Sequence, residues 1–287
     1  MALAFDAGIG DELFCTCLAH ELKKRGQQDL WMLTRRPELF ANSPDFDQIA
    51  ANHRSLRILL RLRKPAIHPY YANRITMDRQ ESPQEHIIKI MLRKVGITGS
   101  AELRPYLYLK DEEIKAVPCE GDVICIQSSG MAANLPIPLK EWYPKRFQQV
   151  VDSLVSKFTV IQIGAPTDPY LKGARDARGK YNLRQLAALF RQSRLFLGLE
   201  GGLMHLARSV DCRSVIVFGG RHLPFQCGYP CNENVVRQPV CSPCYRWYTC
   251  EFDRECMDQI QPPEVLEAVE RCLNRLGKPL EVETAEL

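Results

Sequence analysis

Residues 182–220 read NLRQLAALFRQSRLFLGLEGGLMHLARSVDCRSVIVFGG. Leu183, Leu186, Ala187 and Phe190 recur at helical spacing, predicting a helix over Asn182 to Ser193 with one apolar face. Leu195 to Leu199 is a short apolar run of strand length. Gly201 and Gly202 punctuate it. A second helix is expected from Gly202 to Ser209, and a second strand from Ser214 to Phe218. Helix, strand, glycine turn, helix and strand in 39 residues predict a doubly wound parallel sheet.

The same alternation extends in both directions. Upstream lie a strand over Val123 to Gln127, a helix over Pro144 to Lys157 and a strand over Phe158 to Ile163. The chain also begins this way. Leu3 to Phe5 is a short strand, Gly8 and Gly10 frame a turn, and Leu13, Phe14, Cys17, Leu18 and Leu22 continue as a helix that leads to a strand at Leu30 to Leu33. Between these halves, Pro83 to Val95 reads as a helix and Tyr106 to Leu109 as a strand. The charged, proline-containing stretch KDEEIKAVPCE at 110–120 marks the boundary. The expected plan is two Rossmann-like doubly wound α/β domains, 1–115 and 116–287, facing a cleft. The second carries a Cys-rich segment over 227–256.

The chain has 287 residues, 45% hydrophobic and 25% charged, which are ordinary globular values and exclude a fibrous or largely disordered chain. No apolar run approaches the ~20 residues that span a bilayer. No basic and then apolar leader opens the chain, so a cytoplasmic, reducing location is expected. The net charge of +4 names no partner. Within 51–104, however, eleven basic residues stand against four acidic ones, a segment suited to peripheral contact with an anionic acceptor or to a solvated surface.

Four motifs are candidates for chemistry. The first is Gly8-Ile9-Gly10-Asp11, at a strand-to-helix turn. Its glycines let a ligand approach, and Asp11 stands at the carboxyl end of a strand as either a cleft-facing acid or a helix cap. Leu13 replaces the third glycine of a dinucleotide fingerprint. The second is Glu200-Gly201-Gly202-Leu203-Met204-His205. The glycine amides suit a phosphate, Glu200 suits a ribose or sugar hydroxyl, and His205 points at the cleft or packs into the sheet. The third is Ser128-Ser129-Gly130 with Lys140 downstream, suited to a diphosphate or forming an ordinary polar loop. The fourth comes from the 12 cysteines. Cys241-x2-Cys244-x5-Cys250-x5-Cys256 can surround one tetrahedral zinc or iron, with Cys227 and Cys231 as nearby substitutes. Such a closed site is structural. Cys15, Cys17, Cys119, Cys125, Cys212 and Cys272 read as core thiols.

Together these stretches resemble glycosyltransferase family 9, the bacterial heptosyltransferases. The resemblance rests on GIGDELFCTCLAHELKKRG at 8–26, HIIKIMLRKVGI at 86–97 followed by PYLYL, QSSG with LKEWYPKRF, GAPTD at 164–168, the stretch at 182–220, and CSPC with Cys250 and Cys256. It implies the GT-B fold and transfer of a heptose, usually from ADP-heptose, without a catalytic metal. Asp11 matches the general base. Ser128, Ser129 and Lys140 match donor-phosphate contacts, and Asp168 matches an acid that holds the donor nucleoside. Glu200, Gly201, Gly202, Leu203, Met204 and His205 match the family's Asp-Thr-Gly-x-x-His donor motif, with Glu for Asp and Gly for Thr. Residues 42–82 look like a replaced acceptor region. The four-cysteine segment is similar in kind to the iron site of autotransporter heptosyltransferases.

Two functions are therefore expected as alternatives. One is an inverting glycosyltransferase acting on a nucleotide-sugar donor. Its acceptor hydroxyl would belong to lipopolysaccharide core, a protein or a small metabolite. The other is a non-catalytic GT-B-like protein that holds an acidic partner with the basic segment and the cysteine knuckle.

Overall fold

The computed structural model describes residues 1–5, 8–51 and 66–287. Its N-terminal half is built on β1 (Ala2–Ala4), α1 (Ile9–Lys24), β2 (Trp31–Thr34), β3 (Gln48–Ala51), β4 (Ala66–Ile67), α2 (Ile87–Lys94), β5 (Ser100–Glu102) and α3 (Asp111–Lys115). The strands form a parallel sheet in the order β3-β2-β1-β4. The C-terminal half holds β6 (Val123–Gln127), α4 (Pro144–Leu154), β7 (Thr159–Ile163), β8 (Arg175–Asp176), α5 (Leu183–Gln192), β9 (Leu195–Leu199), α6 (Gly202–Ser209), β10 (Ser214–Phe218), α7 (Pro224–Cys227) and β11 (Glu233–Val236). These strands form a second, fully parallel sheet, β11-β10-β9-β6-β7-β8. Then come α8 (Glu255–Asp258), α9 (Pro262–Leu273) and β12 (Thr284–Glu286).

The second sheet forms where the sequence said it would. β9 and β10 are LFLGL and SVIVF, buried at every residue because helices cover both faces. The Asn182 side chain caps α5 by accepting from the Gln185 amide at 2.9 Å, and Leu186 to Phe190 turn inward.

Two features differ from expectation, and one expectation falls largely outside the described residues. Tyr106 to Leu109 runs extended but joins no sheet. The Tyr106 amide donates to Thr16 Oγ1 (2.8 Å) and the Leu107 amide to the Ser209 carbonyl (3.1 Å), so its polar groups stitch α1 to α6 instead. The chain end returns to the first half, where β12 pairs antiparallel with β5. Finally, the basic residues Arg54, Arg57, Arg61, Arg63 and Lys64 lie outside the described residues. Of the rest, Arg104 pairs with Asp211 at 2.8 Å, while Lys89 and Arg93 pair with Glu85.

The halves meet directly. One apolar cluster runs from Leu3, Phe14 and Cys17 to Met204, Ala207 and Phe218. Its closest point is glycine against glycine turn. A Cβ on Gly10 would lie 2.5 Å from His205 Cδ2, and one on Gly202 would lie 3.1 Å from Ile9 Cβ. Only residues without side chains let the first turns of α1 and α6 approach so closely. Among the described residues, no helix is long and apolar enough to cross a membrane.

Candidate active site

Asp11 sits in the first turn of α1, half-buried, with its two oxygens in different roles. Oδ2 accepts from the Gly8 amide at 3.0 Å, which is the cap. Oδ1 accepts from the Tyr71 hydroxyl at 2.9 Å. Burial raises the Asp11 pKa, and Tyr71, Gly8 and Lys140 offset part of that rise. A carboxylate held above its ordinary range at a sheet's carboxyl edge is suited to accept a proton.

Across the junction, Glu200 is buried at the end of β9. Its Oε2 accepts from Lys140 Nζ at 2.6 Å and from His222 Nδ1 at 2.8 Å. Burial alone would raise this carboxyl, but His222 and Lys140 outweigh it and hold Glu200 well below the carboxylate range. Burial pushes His222 down to about 3, so the ring is neutral. It donates from Nδ1 to Glu200 and accepts at Nε2 from Arg221. Lys140 thus supplies the charge that keeps Glu200 ionised.

Glu200, His222 and Cys227 place ligand atoms within 4.8 Å of one another, the one such grouping of three found among the described residues. Two cations already flank it, Lys140 on the carboxylate and Arg221 on the imidazole. This charge balance suits the ammonium better than a metal ion.

The remaining sequence candidates fall around this centre. Gly201 opens onto free space, since a Cβ there meets nothing within 4 Å. Met204 is buried and Leu203 partly so. His205 does not face a cleft. It is buried between the Phe14 ring and Tyr229, whose hydroxyl is 2.6 Å from Nδ1, and burial pushes it down to about 3. Ser128 is buried, its hydroxyl donating to the Pro169 carbonyl (3.0 Å) and accepting from Gln162 (3.0 Å). Ser129 Oγ accepts from the Met131 amide at 3.1 Å. Asp168 accepts from the Ala165 amide at 2.9 Å and closes the loop after β7.

Cys241, Cys244, Cys250 and Cys256 line one cavity of about 190 Å³ together with Arg79, Arg221, Arg246 and Arg254. Four thiols are the right chemistry for a tetrahedral metal, but among the described residues no three of them bring their sulfur atoms within 4.8 Å of one another. The Arg254 amide points at Cys250 Sγ (3.3 Å), and the Gly220 and Met257 amides face the Cys256 sulfur. The Gly220 and Met257 amides favour the Cys256 thiolate, but burial outweighs them and raises both the Cys241 and Cys256 thiols. Cys227 lies against Glu200 and Cys231 against Asn232, so neither substitute lines the cavity.

This loop grips the other half of the chain. Asn73 to Glu81 is a small hairpin whose outer edge pairs with residues 245–247: the Gln80 amide donates to the Tyr245 carbonyl, and Arg79 bridges Arg246. The Asp78 carboxylate receives the amides of Trp247, Tyr248 and Thr249 and the Thr249 hydroxyl. Sequence reading found neither this clamp nor Tyr71, His222 and Tyr229. None of them belongs to a motif with a spacing rule.

Comparison with known proteins decides the family signal. Residues 138–254 match the model of glycosyltransferase family 9 (heptosyltransferase). The family resemblance and the enzyme class, a glycosyltransferase, stand on that segment. The fold is shared more widely. A family 9 glycosyl transferase from Veillonella parvula superposes with a TM-score of 0.72 at 15% identity, over 96% of this chain and 97% of that one. The iron-containing dodecameric glycosyltransferase TibC from enterotoxigenic E. coli superposes at 0.74 and 17%, over 97% and 79%. TibC has also been solved in complex with ADP-D-β-D-heptose. E. coli ADP-heptose lps heptosyltransferase II gives 0.70 and 14%, over 96% and 98%. The two-sheet architecture is therefore GT-B, with Cys241 to Cys256 following β11. No curated protein matches in sequence.

Proposed function

We propose that this chain is an inverting glycosyltransferase that moves heptose from ADP-heptose to a hydroxyl acceptor. The observation that carries it is the meeting of Asp11, at the end of one parallel sheet, with Glu200 and Lys140 at the end of the other. The family signal over 138–254 and the heptosyltransferases of like fold support the donor class.

In this reading Asp11 Oδ1 takes the acceptor proton as the oxygen attacks the anomeric carbon from the face opposite the diphosphate. Negative charge grows on the leaving ADP. Lys140 and the free amides at Gly201 and Gly202 meet it there. Lys140 exchanges its Glu200 partner for phosphate, and Glu200 is then free to accept from a hydroxyl of the sugar. Asp168 holds the loop that takes the nucleoside. Cys241, Cys244, Cys250 and Cys256 would hold one zinc or iron, which supplies cross-linking of the loop.

The test is ADP release from ADP-heptose, to water and to added acceptors, with product anomeric configuration read by NMR. Asp11→Asn should lower turnover about 10²–10⁴-fold, the usual worth of a general base. Its donor affinity should stay within a few-fold. A chain that binds ADP-heptose but never consumes it would be a binding protein instead. A preference for UDP-sugars would remove the heptose.

A further inference from the structure

Among the polar groups gathered at the junction, most satisfy one another. Lys140 and His222 bond Glu200, and Tyr71 and the Gly8 amide bond Asp11. Among the described residues, Ser242 Oγ, Trp247 Nε1 and the Tyr245 hydroxyl of the Cys-rich loop are left over, and of these Tyr245 packs on His222. Tyr245 is fully buried, and its hydroxyl has no hydrogen-bond partner. A buried tyrosine hydroxyl ordinarily finds one, and an orphan is a feature that calls for a cause.

Tyr245 comes from the Cys-rich loop, directly after Cys244, yet it reaches the centre of the site. Its ring stands edge-on to His222 at 4.5 Å and beneath the Arg221 guanidinium at 5.1 Å. Asp11 and Glu200, the carboxylates on opposite sides of the junction, both lie within electrostatic range of it. The backbone is fixed to match. Residue 245 has φ of 52°, a left-handed conformation that a tyrosine adopts only when its surroundings impose it. They do so here: its amide donates to the Arg221 carbonyl at 3.3 Å, its carbonyl accepts from Gln80 at 3.2 Å, and Arg221 Nε donates to the Arg246 carbonyl at 2.8 Å. Strain, burial and an unmet donor coincide in one side chain.

We propose that Tyr245 is a substrate-contacting residue whose hydroxyl donates to a hydroxyl of the sugar being transferred. This makes the Cys-rich loop a wall of the active site as well as a cross-link. The inference rests on the donor reading above. A phenol keeps its proton at neutral pH, so its hydroxyl can donate. Packed on His222, which bonds Glu200, it stands on the side proposed for the sugar, whereas the diphosphate belongs to Lys140. Donor entry that draws Lys140 from Glu200 opens the space between them, and a sugar hydroxyl there meets a tyrosine that no protein group satisfies.

The experiment is titration calorimetry of wild type and Tyr245→Phe with ADP and with ADP-heptose, at equal metal content, alongside melting temperatures. Phenylalanine keeps the ring packing on His222 and Arg221 and removes only the hydroxyl. The expected result is about tenfold weaker ADP-heptose binding, the worth of one hydrogen bond, with ADP within twofold and a melting temperature unchanged or higher. Equal ADP-heptose affinity in the two proteins would overturn the proposal, as would ADP and ADP-heptose weakened alike. A melting temperature lowered by several degrees with both ligands lost would make Tyr245 a packing residue. Failure of the wild type to bind either ligand would overturn the donor reading itself.

Discussion

Tyr71→Phe isolates one interaction of the proposed base. The change deletes the 2.9 Å hydrogen bond to Asp11 Oδ1 and leaves the Gly8 amide on Oδ2. Asp11 is already raised by burial, and the Tyr71 bond opposes that rise. Removing it raises the carboxyl further, because the ionised form loses a donor. Other groups nearby stay in place: Lys140 favours the ionised form, Glu200 disfavours it, and the Cys15 thiol bonds only the Asp11 carbonyl.

A hydrogen bond to a charged group is worth about 1.5–3 kcal/mol. The base acts only when ionised. On the acid side of the pH profile, kcat/KM should therefore fall by about 10- to 150-fold, and the acid limb should move to higher pH. On the alkaline plateau, where Asp11 is ionised in both proteins, the loss should shrink to a few-fold. The assay is ADP release from ADP-heptose at sub-saturating donor, from pH 5 to 9, with circular dichroism at each pH. An acid limb that stays put or moves to lower pH would refute the reasoning. Equal loss at every pH would mean that Tyr71 only packs.

Three further outcomes follow from the geometry. Lys140→Met leaves Glu200 buried without its cation. Urea denaturation should show a loss of about 2–4 kcal/mol, recovered largely by adding Glu200→Gln, since breaking a buried pair costs more than removing it. Gly201→Ala meets no neighbour, so melting temperature should hold while ADP affinity drops. Gly202→Val, which runs into Ile9, should destabilise the junction between the halves. Cys241→Ser with Cys244→Ser should remove about one equivalent of zinc or iron by elemental analysis. It should also raise hydrogen exchange across Asn73 to Glu81, because the Asp78 clamp holds only if residues 247–249 are fixed.

The boundary of what the sequence discloses runs between local and long-range cause. β6, β9, α6 and β10 match the sequence reading end for end, because each is an apolar run closed by its own glycines, caps or charges. The four cysteines line one cavity, but their spacing alone does not bring them together, since sixteen extended residues can span about 50 Å. Tyr106 to Leu109 has strand composition but no strand, since its pattern says nothing of Thr16 and Ser209, which take its amides. Tyr71 was equally hidden. A single tyrosine carries no periodicity, and it meets Asp11 sixty residues away only because the 73–81 hairpin is pinned to the Cys-rich loop. Asp11, Glu200 and Lys140 could be named one at a time from glycine turns, but not their coupling. Lys140 stands on Glu200 only through the tertiary fold, and the neutral state of His222 follows from burial that no motif encodes. The chemistry of this site is thus split. Backbone turns that the sequence spells out place the proposed reacting groups, and side chains from distant positions, Tyr71 and His222, bond them.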